Sequence, residues 1–303
     1  MKKIHIGFLL SYDYEKLKTS IPPVYKEADA IFIAMDEQQL TWSGNRFEID
    51  PDFFDWLEAF DTDKKISIYK DNFYIPELSA IQNDTRERHL LSKKMGIGNW
   101  LVQIDSDEIF IDFSSFISSL RKYDHYLDSP EKKPIQFAGF LINIYKYVND
   151  GLLYIDKPAP TKVLLATNYP NYKVARKTKE RIVYINNILL HECLSRTEEE
   201  LRFKLNNWGH NVDVNEGFFE KWKMANQHNY TTLKDLFYME PEKWKKLGFF
   251  KSRDLEEIKE LIAKKNNLNL STIYLFRKNF GQWFKHFKLV KGKRSHGFES
   301  YFN

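Results

Sequence analysis

Three carboxylates fall within four positions at Asp105, Asp107 and Glu108, directly after the apolar run 101–104. A fully buried strand does not hold that charge in its middle, because an ionised carboxylate gives up its hydration there. The acids therefore belong at a strand's end. Asp105 and Asp107 are two apart, so in extended chain they share a face. Where strand gives way to loop, their oxygens can converge on one hard cation. A solvated polar turn is the competing reading of the same triplet.

A second chemical signal is His191, which closes the apolar stretch 182–190 and is followed by Glu192 and a capping-box start at 195–199. An imidazole at a strand end serves either as a ligand or as a hydrogen-bonding residue. His210, beside Gly209, reads as a helix C-cap contact or as a second histidine of the same region. Arg86 and Arg88 stand on a predicted helix just before the acid-bearing strand. There they could aim bidentate donors at a phosphate or remain solvated charges.

These residues need a scaffold. Apolar runs at 4–10, 30–34, 66–69 and 101–104 each end on polar residues, with helix-like segments at 22–28, 51–60 and 76–95 between them. Strand and helix alternating four times predict an α/β fold with a mostly parallel central sheet and helices on both faces. Ligands of such sheets lie outside the carboxyl ends of the strands. Ser11, Tyr12, Asp36 and Asp105 would line that crevice. Beyond 112–115 the pattern shifts to strand-like pieces at 135–148, 152–155, 161–166 and 181–190, with a polar loop at 167–180, predicting an antiparallel or mixed extension. From 217 onward helices are expected at 218–227, 241–247, 254–265 and 271–288.

A chain of 303 residues, 43% hydrophobic and 16% aromatic, can bury a large core. Its single cysteine, Cys193, excludes an internal disulfide and a cysteine-rich zinc site and fits a reducing compartment. The apolar run after Met1 is too short for an export signal, and none reaches the length of a membrane span, so a cytoplasmic location is expected. Net charge is +4, yet residues 271–303 carry seven bases against Glu299, so the positive charge is local. In that tail Ile273, Phe276, Phe280, Trp283, Phe284 and Phe287 form one helical stripe. It is expected to be core packed on the main domain; the surrounding bases support the rival reading, a helix lying on the anionic inner face of a cell membrane. Nucleic acid is not an expected partner.

Paired arginines on a helix, the strand Trp100-Leu-Val-Gln-Ile-Asp-Ser-Asp-Glu108, a Lys162-Val-Leu strand and a strand closing on His191-Glu192 together resemble the metal-dependent glycosyltransferases of the GT-A fold, most closely bacterial family 2-like enzymes. The resemblance implies a catalytic domain over 1–213, with a nucleotide-binding half to 110 and an acceptor-binding half from 111, and a helical extension over 214–303. It also implies transfer of a sugar from a nucleotide-diphosphate donor to a saccharide or lipid-linked saccharide in surface polysaccharide synthesis. Asp107 and His191 would be direct ligands of Mn²⁺ or Mg²⁺, with Asp105 touching the ribose or reaching the metal through water. Asp36 would read the base beside Ser11 and Tyr12, and Arg86 the diphosphate. The N-terminal loop departs from the family wording Pro-x-Tyr-Asn. An inverting enzyme also needs a carboxylate base, for which Glu192, Asp156 and Asp213 stand as candidates. A nucleotidyltransferase is the first rival, although residues 11–16 are not its Gly-rich basic loop. A non-catalytic carbohydrate- or membrane-binding protein is the second.

Overall fold

The computed structural model describes residues 2–157, 161–207, 216–265, 268 and 270–287. The first half alternates as follows: β1 (Ile4–Leu10), short helices α1 (Leu17–Ser20) and α2 (Pro22–Tyr25), β2 (Ala30–Asp36), α3 (Pro51–Phe60), β3 (Ile66–Asp71), α4 (Ala80–Met95) and β4 (Trp100–Ile104). Each long helix opens on a sequence-encoded stop for its free N–H groups. Asp50 accepts from Asp52 N ahead of Pro51 in α3, and Ser79 and Gln82 form a capping box on α4. After α4, Gly96 turns the chain at φ +91°.

Ten strands join one sheet, in which β3, β2, β1 and β4 run parallel, with Ile6 opposite both Ile31 and Val102. All seven residues of β1 are buried because both faces are covered. Ile4, Ile6, Phe8 and Leu10 pack with α1, α2, α3 and the later helix α5 (Phe113–Arg121), whereas Leu9 and Leu101 pack with Leu91 and Met95 of α4. Gly7 lies on the α4 face, where a Cβ would come within 2.8 Å of Met95 Sδ and 2.9 Å of Leu91 Cδ2. The helix therefore seats directly on β1, and its position depends on that missing methyl.

Beyond β4 the sheet becomes mixed. Its remaining strands are β5 (Glu108–Phe110), β6 (Ile135–Val148), β7 (Gly151–Ile155), β8 (Thr161–Thr167), β11 (Arg181–His191) and, at the edge, β12 (Leu247–Phe250), while β9 (Tyr172–Val174) and β10 (Lys177–Thr178) form a separate hairpin. Strand β8 runs antiparallel to β4 and β6, and β11 runs parallel to β6 and antiparallel to β5. This is the expected α/β plan: a large central sheet, parallel through its first four strands and flanked by helices.

Three expectations change. The stretch 167–180 is not wholly loop, since it holds the β9–β10 hairpin. The C-terminal third is α6 (Glu198–Asn207), α7 (Glu216–Met224), β12 (Leu247–Phe250), α8 (Leu255–Ala263) and α9 (Thr272–Lys285), so a helix expected at 241–247 is only a 3₁₀ turn at Pro241–Lys243 leading into a strand. Gly248 admits the Tyr154 ring, which a Cβ would meet at 2.2 Å, and β12 thereby pairs with β7. Phe218, Trp222 and Trp244 share a core with Tyr145, Leu153 and Leu201, which joins the C-terminal region to the sheet. Third, the aromatic stripe of α9 is not core: its six side chains are exposed, from 73% at Ile273 to 43% at Phe287. His210, Asp213 and the bases from Lys288 on lie outside the described residues. Among the described residues no helix is long and apolar enough to cross a membrane.

Candidate active site

The carboxyl ends of β1, β2 and β4 open into a cavity of about 600 Å³, bordered on the far side by β6, β8 and β11. That volume suits a drug-sized molecule held by a few converging polar groups. Strand β4 delivers Asp105, a tight turn closes with Glu108 N donating to Asp105 O at 2.9 Å, and Glu108 enters β5 directly opposite His191 of β11. This pairing brings together two segments more than eighty residues apart.

Asp107 Oδ1 stands 3.6 Å from His191 Nε2, and the other imidazole nitrogen is fixed by Asn143 Oδ1 at 2.8 Å. The second Asp107 oxygen accepts from Arg196 Nη2 at 2.8 Å and from Lys204 Nζ of α6. Burial alone would raise this carboxyl, but Lys204, His191 and Arg196 hold it well below the usual range. Burial likewise disfavours the charged His191, yet the Cys193 sulfur and Asp107 outweigh it and push the imidazole up to about 9.

Asp105 is gripped from both sides, by Arg88 Nη2 at 2.8 Å and Arg176 Nη2 at 3.2 Å. Burial raises its carboxyl, and the two guanidinium groups reverse the sign. Arg176 also forks onto Glu108, at 2.7 Å on each oxygen. It is presented by the β9–β10 hairpin, where Ala175 takes φ +47° and its N–H bonds Thr85 Oγ1 of α4. Arg88 bonds Asp84 one helical turn back and lies 5.8 Å from the Trp42 ring centroid. Its Nη1 is buried with no hydrogen-bond partner, an orphaned donor at the cavity wall. Five acids (Asp13, Asp84, Asp105, Asp107, Glu108) therefore meet four basic side chains (Arg88, Arg176, Arg196, Lys204).

Of the sequence-predicted residues, Ser11, Tyr12, Asp36, Asp105, Asp107 and His191 all line the cavity. Asp36, however, spends its carboxylate on four backbone N–H groups, those of Gln38, Leu40, Phe73 and Tyr74, and so ties together the loops after β2 and β3. Arg86 does not face the cavity. It donates to the carbonyls of Asn72 and Phe73, and Arg88, two residues on, takes the inward position. Glu192 is buried outside the cavity against Lys16 at 2.9 Å and Tyr147. Asp156 pairs with Lys246 at 2.9 Å at the β7 edge. Sequence reasoning missed Arg176, Arg196, Lys204 and Trp42. Only Arg196 carried a signal, its place four residues beyond Glu192.

A divalent ion was expected on Asp105, Asp107 and His191. Among the described residues no group of three His, Cys, Asp or Glu is arranged to hold one. Asp107 Oδ1 and His191 Nε2 do converge, at a separation two ligands of one cation can adopt, while Asp105 is committed to its arginines. The residues would take a metal only as a two-point site, after His191 gives up its proton, with the remaining ligands drawn from phosphate and water.

No family model matches the chain, and no curated protein matches it. Among solved structures it is similar to a mannose-6-phosphate isomerase from Helicobacter pylori, at 13% identity and a TM-score of 0.31, over 68% of this chain and 66% of that one. It is also similar to TarS 1-349 of S. aureus, at 10% identity and a TM-score of 0.34, over 93% of this chain and 89% of that one. At such scores neither likeness carries an argument about activity.

Proposed function

We propose that the chain is a glycosyltransferase that takes a nucleoside diphosphate sugar as donor and a saccharide or lipid-linked saccharide as acceptor. The observation that carries this reading is the orphaned Arg88 Nη1, set among Arg176, Arg196 and Lys204 at the carboxyl ends of a parallel sheet, beside the Trp42 ring. A diphosphate offers the anionic oxygens such a cluster suits, and a ring suits a base. The acids at Asp105, Asp107 and Glu108 keep the cations in place before the ligand arrives.

Breaking an anomeric C–O bond leaves charge on the departing diphosphate. Preorganised cations lower the cost of that charge. Arg88 and Arg176 would hold one side of the diphosphate and Lys204 the other, with Arg196, outside the cavity lining, holding Asp13 and Asp107. Asn143 fixes the His191 ring so that Nε2 faces Asp107. A divalent ion, when bound by Asp107 and His191, would add positive charge at the same place.

The test is a panel of nucleoside diphosphate sugars incubated with the full chain and Mn²⁺ or Mg²⁺, with released nucleoside diphosphate as the readout. Slow release from one donor, reduced about 100-fold in Lys204→Met, is the expected result. Formation of pyrophosphate from a nucleoside triphosphate and a sugar phosphate, with no donor cleaved, would replace this reading with nucleotidyl transfer.

A further inference from the structure

Helix α9 lies across the open edge of β11. Asn279 acts there as a missing strand neighbour: its Oδ1 accepts from Tyr184 N at 2.9 Å and its Nδ2 donates to Tyr184 O at 3.0 Å. Gln282 Oε1 accepts from Ile182 N at 3.2 Å, and Tyr274 and Leu275 pack against Phe140, Leu164 and Ile182. The inward face of the helix is thus fixed by specific bonds. Its outward face is apolar. Phe276, Phe280, Trp283 and Phe287 contact one another in sequence, ring centroids 6.1, 5.8 and 5.3 Å apart, and remain 43 to 66% exposed. A continuous aromatic ridge of this kind facing water marks an interaction surface.

Charge identifies the partner. At 100° per residue the exposed Arg277 falls next to Phe284 on the border of the ridge, while the exposed Lys278 and Lys285 lie about 80–100° further round the helix. Lys162 and Lys177 line the neighbouring cavity wall. Burial lowers the Lys162 ammonium, and the charges of Lys177, Lys278 and Lys285 add to the effect. Four further bases, Lys288, Lys291, Lys293 and Arg294, follow in sequence against the single acid Glu299. We propose that α9 is a membrane-docking helix whose aromatic ridge enters the interface of a bilayer while the bases beside it engage anionic phospholipid headgroups. An amphipathic helix with aromatic residues on one face and bases on the other binds such interfaces through both terms. The docking itself is independent of sugar transfer.

The test is co-sedimentation of the full chain with phosphatidylcholine vesicles, with and without phosphatidylglycerol. Expected is binding to the anionic vesicles that falls steeply with salt, and that Phe276→Ser/Phe280→Ser/Trp283→Ser weakens about tenfold or more. The same variant should keep the wild-type melting temperature, since those side chains touch no core. Lys278→Glu/Lys285→Glu should weaken binding to the anionic vesicles alone. Absence of vesicle binding, or binding that the triple variant leaves unchanged, would overturn the proposal. A concentration-dependent dimer abolished by the triple variant, without vesicle binding, would do so too and would make a second copy the occupant.

Discussion

Arg176 meets Glu108 fork to fork, both nitrogens at 2.7 Å, with side chains only 13% and 2% exposed. The same guanidinium reaches Asp105 Oδ2 and the carbonyl of Gln103, so one residue from a distant hairpin fixes the end of β4 and the turn after it. Arg176→Met would leave Glu108 buried without its partner, and loss of about 3 kcal/mol of stability at pH 7 is expected from urea unfolding. The double variant Arg176→Met/Glu108→Met should recover most of that loss, because neither charge is then stranded.

Gly7→Ala tests how α4 is positioned. The added methyl meets Leu91 and Met95, and overpacking of this kind costs about 1–3 kcal/mol. Since α4 carries Arg88, nucleotide affinity should fall along with the melting temperature. A stability loss with unchanged affinity would show that Arg88 is placed by other contacts.

Glu87 provides a pH signature. Burial pushes its carboxyl from 4.5 up to about 8, against the bond that Trp42 Nε1 donates to it at 2.6 Å. A carboxyl whose folded value is raised keeps its proton in the native state while the unfolded chain loses it. Its contribution is therefore full below pH 4.5 and declines, by on the order of 1 kcal/mol per pH unit, until about pH 8. Glu87→Gln should remove that decline, so its stabilising effect relative to wild type should be absent at pH 4 and largest above pH 8, as read from unfolding curves at several pH values.

The strands of the first half were legible because burial on both faces forces mostly apolar runs such as 4–10 and 101–104, interrupted only by His5, Gly7 and Gln103. Asp105, Asp107 and His191 were legible for the same reason, as polar residues that end those runs. Arg176 was not, because its hairpin has only three- and two-residue strands and depends on a left-handed alanine that no sequence pattern announces. The choice between Arg86 and Arg88 turns on 200° of helix rotation, which the mixed burial of α4 hides: Asn83, Asp84, Glu87, Arg88 and Ser92 are all buried polar residues. In α9 the period revealed an apolar face but not what covers it, and the expectation of core failed there. Strand β12 was missed because four residues, one of them Gly248, are too few for alternation to show.

Metal dependence can be separated from the cation cluster. If Asp107 and His191 hold an ion only together with a diphosphate, Mn²⁺ alone should leave the melting temperature unchanged, and Mn²⁺ with nucleoside diphosphate should raise it beyond either ligand singly. His191→Ala should abolish that synergy while preserving the nucleotide effect. Synergy that survives in His191→Ala would remove the imidazole from any metal role.

The central claim is that the cavity binds a diphosphate through side-chain cations. Titration calorimetry of the full chain with nucleoside diphosphates and the corresponding monophosphates tests it most directly. One diphosphate should bind at least about tenfold more tightly than its monophosphate, and Lys204→Met should erase most of this difference while sparing the monophosphate. Equal affinity for the two ligands in the wild type, or a preference for diphosphate untouched by Lys204→Met, would contradict it.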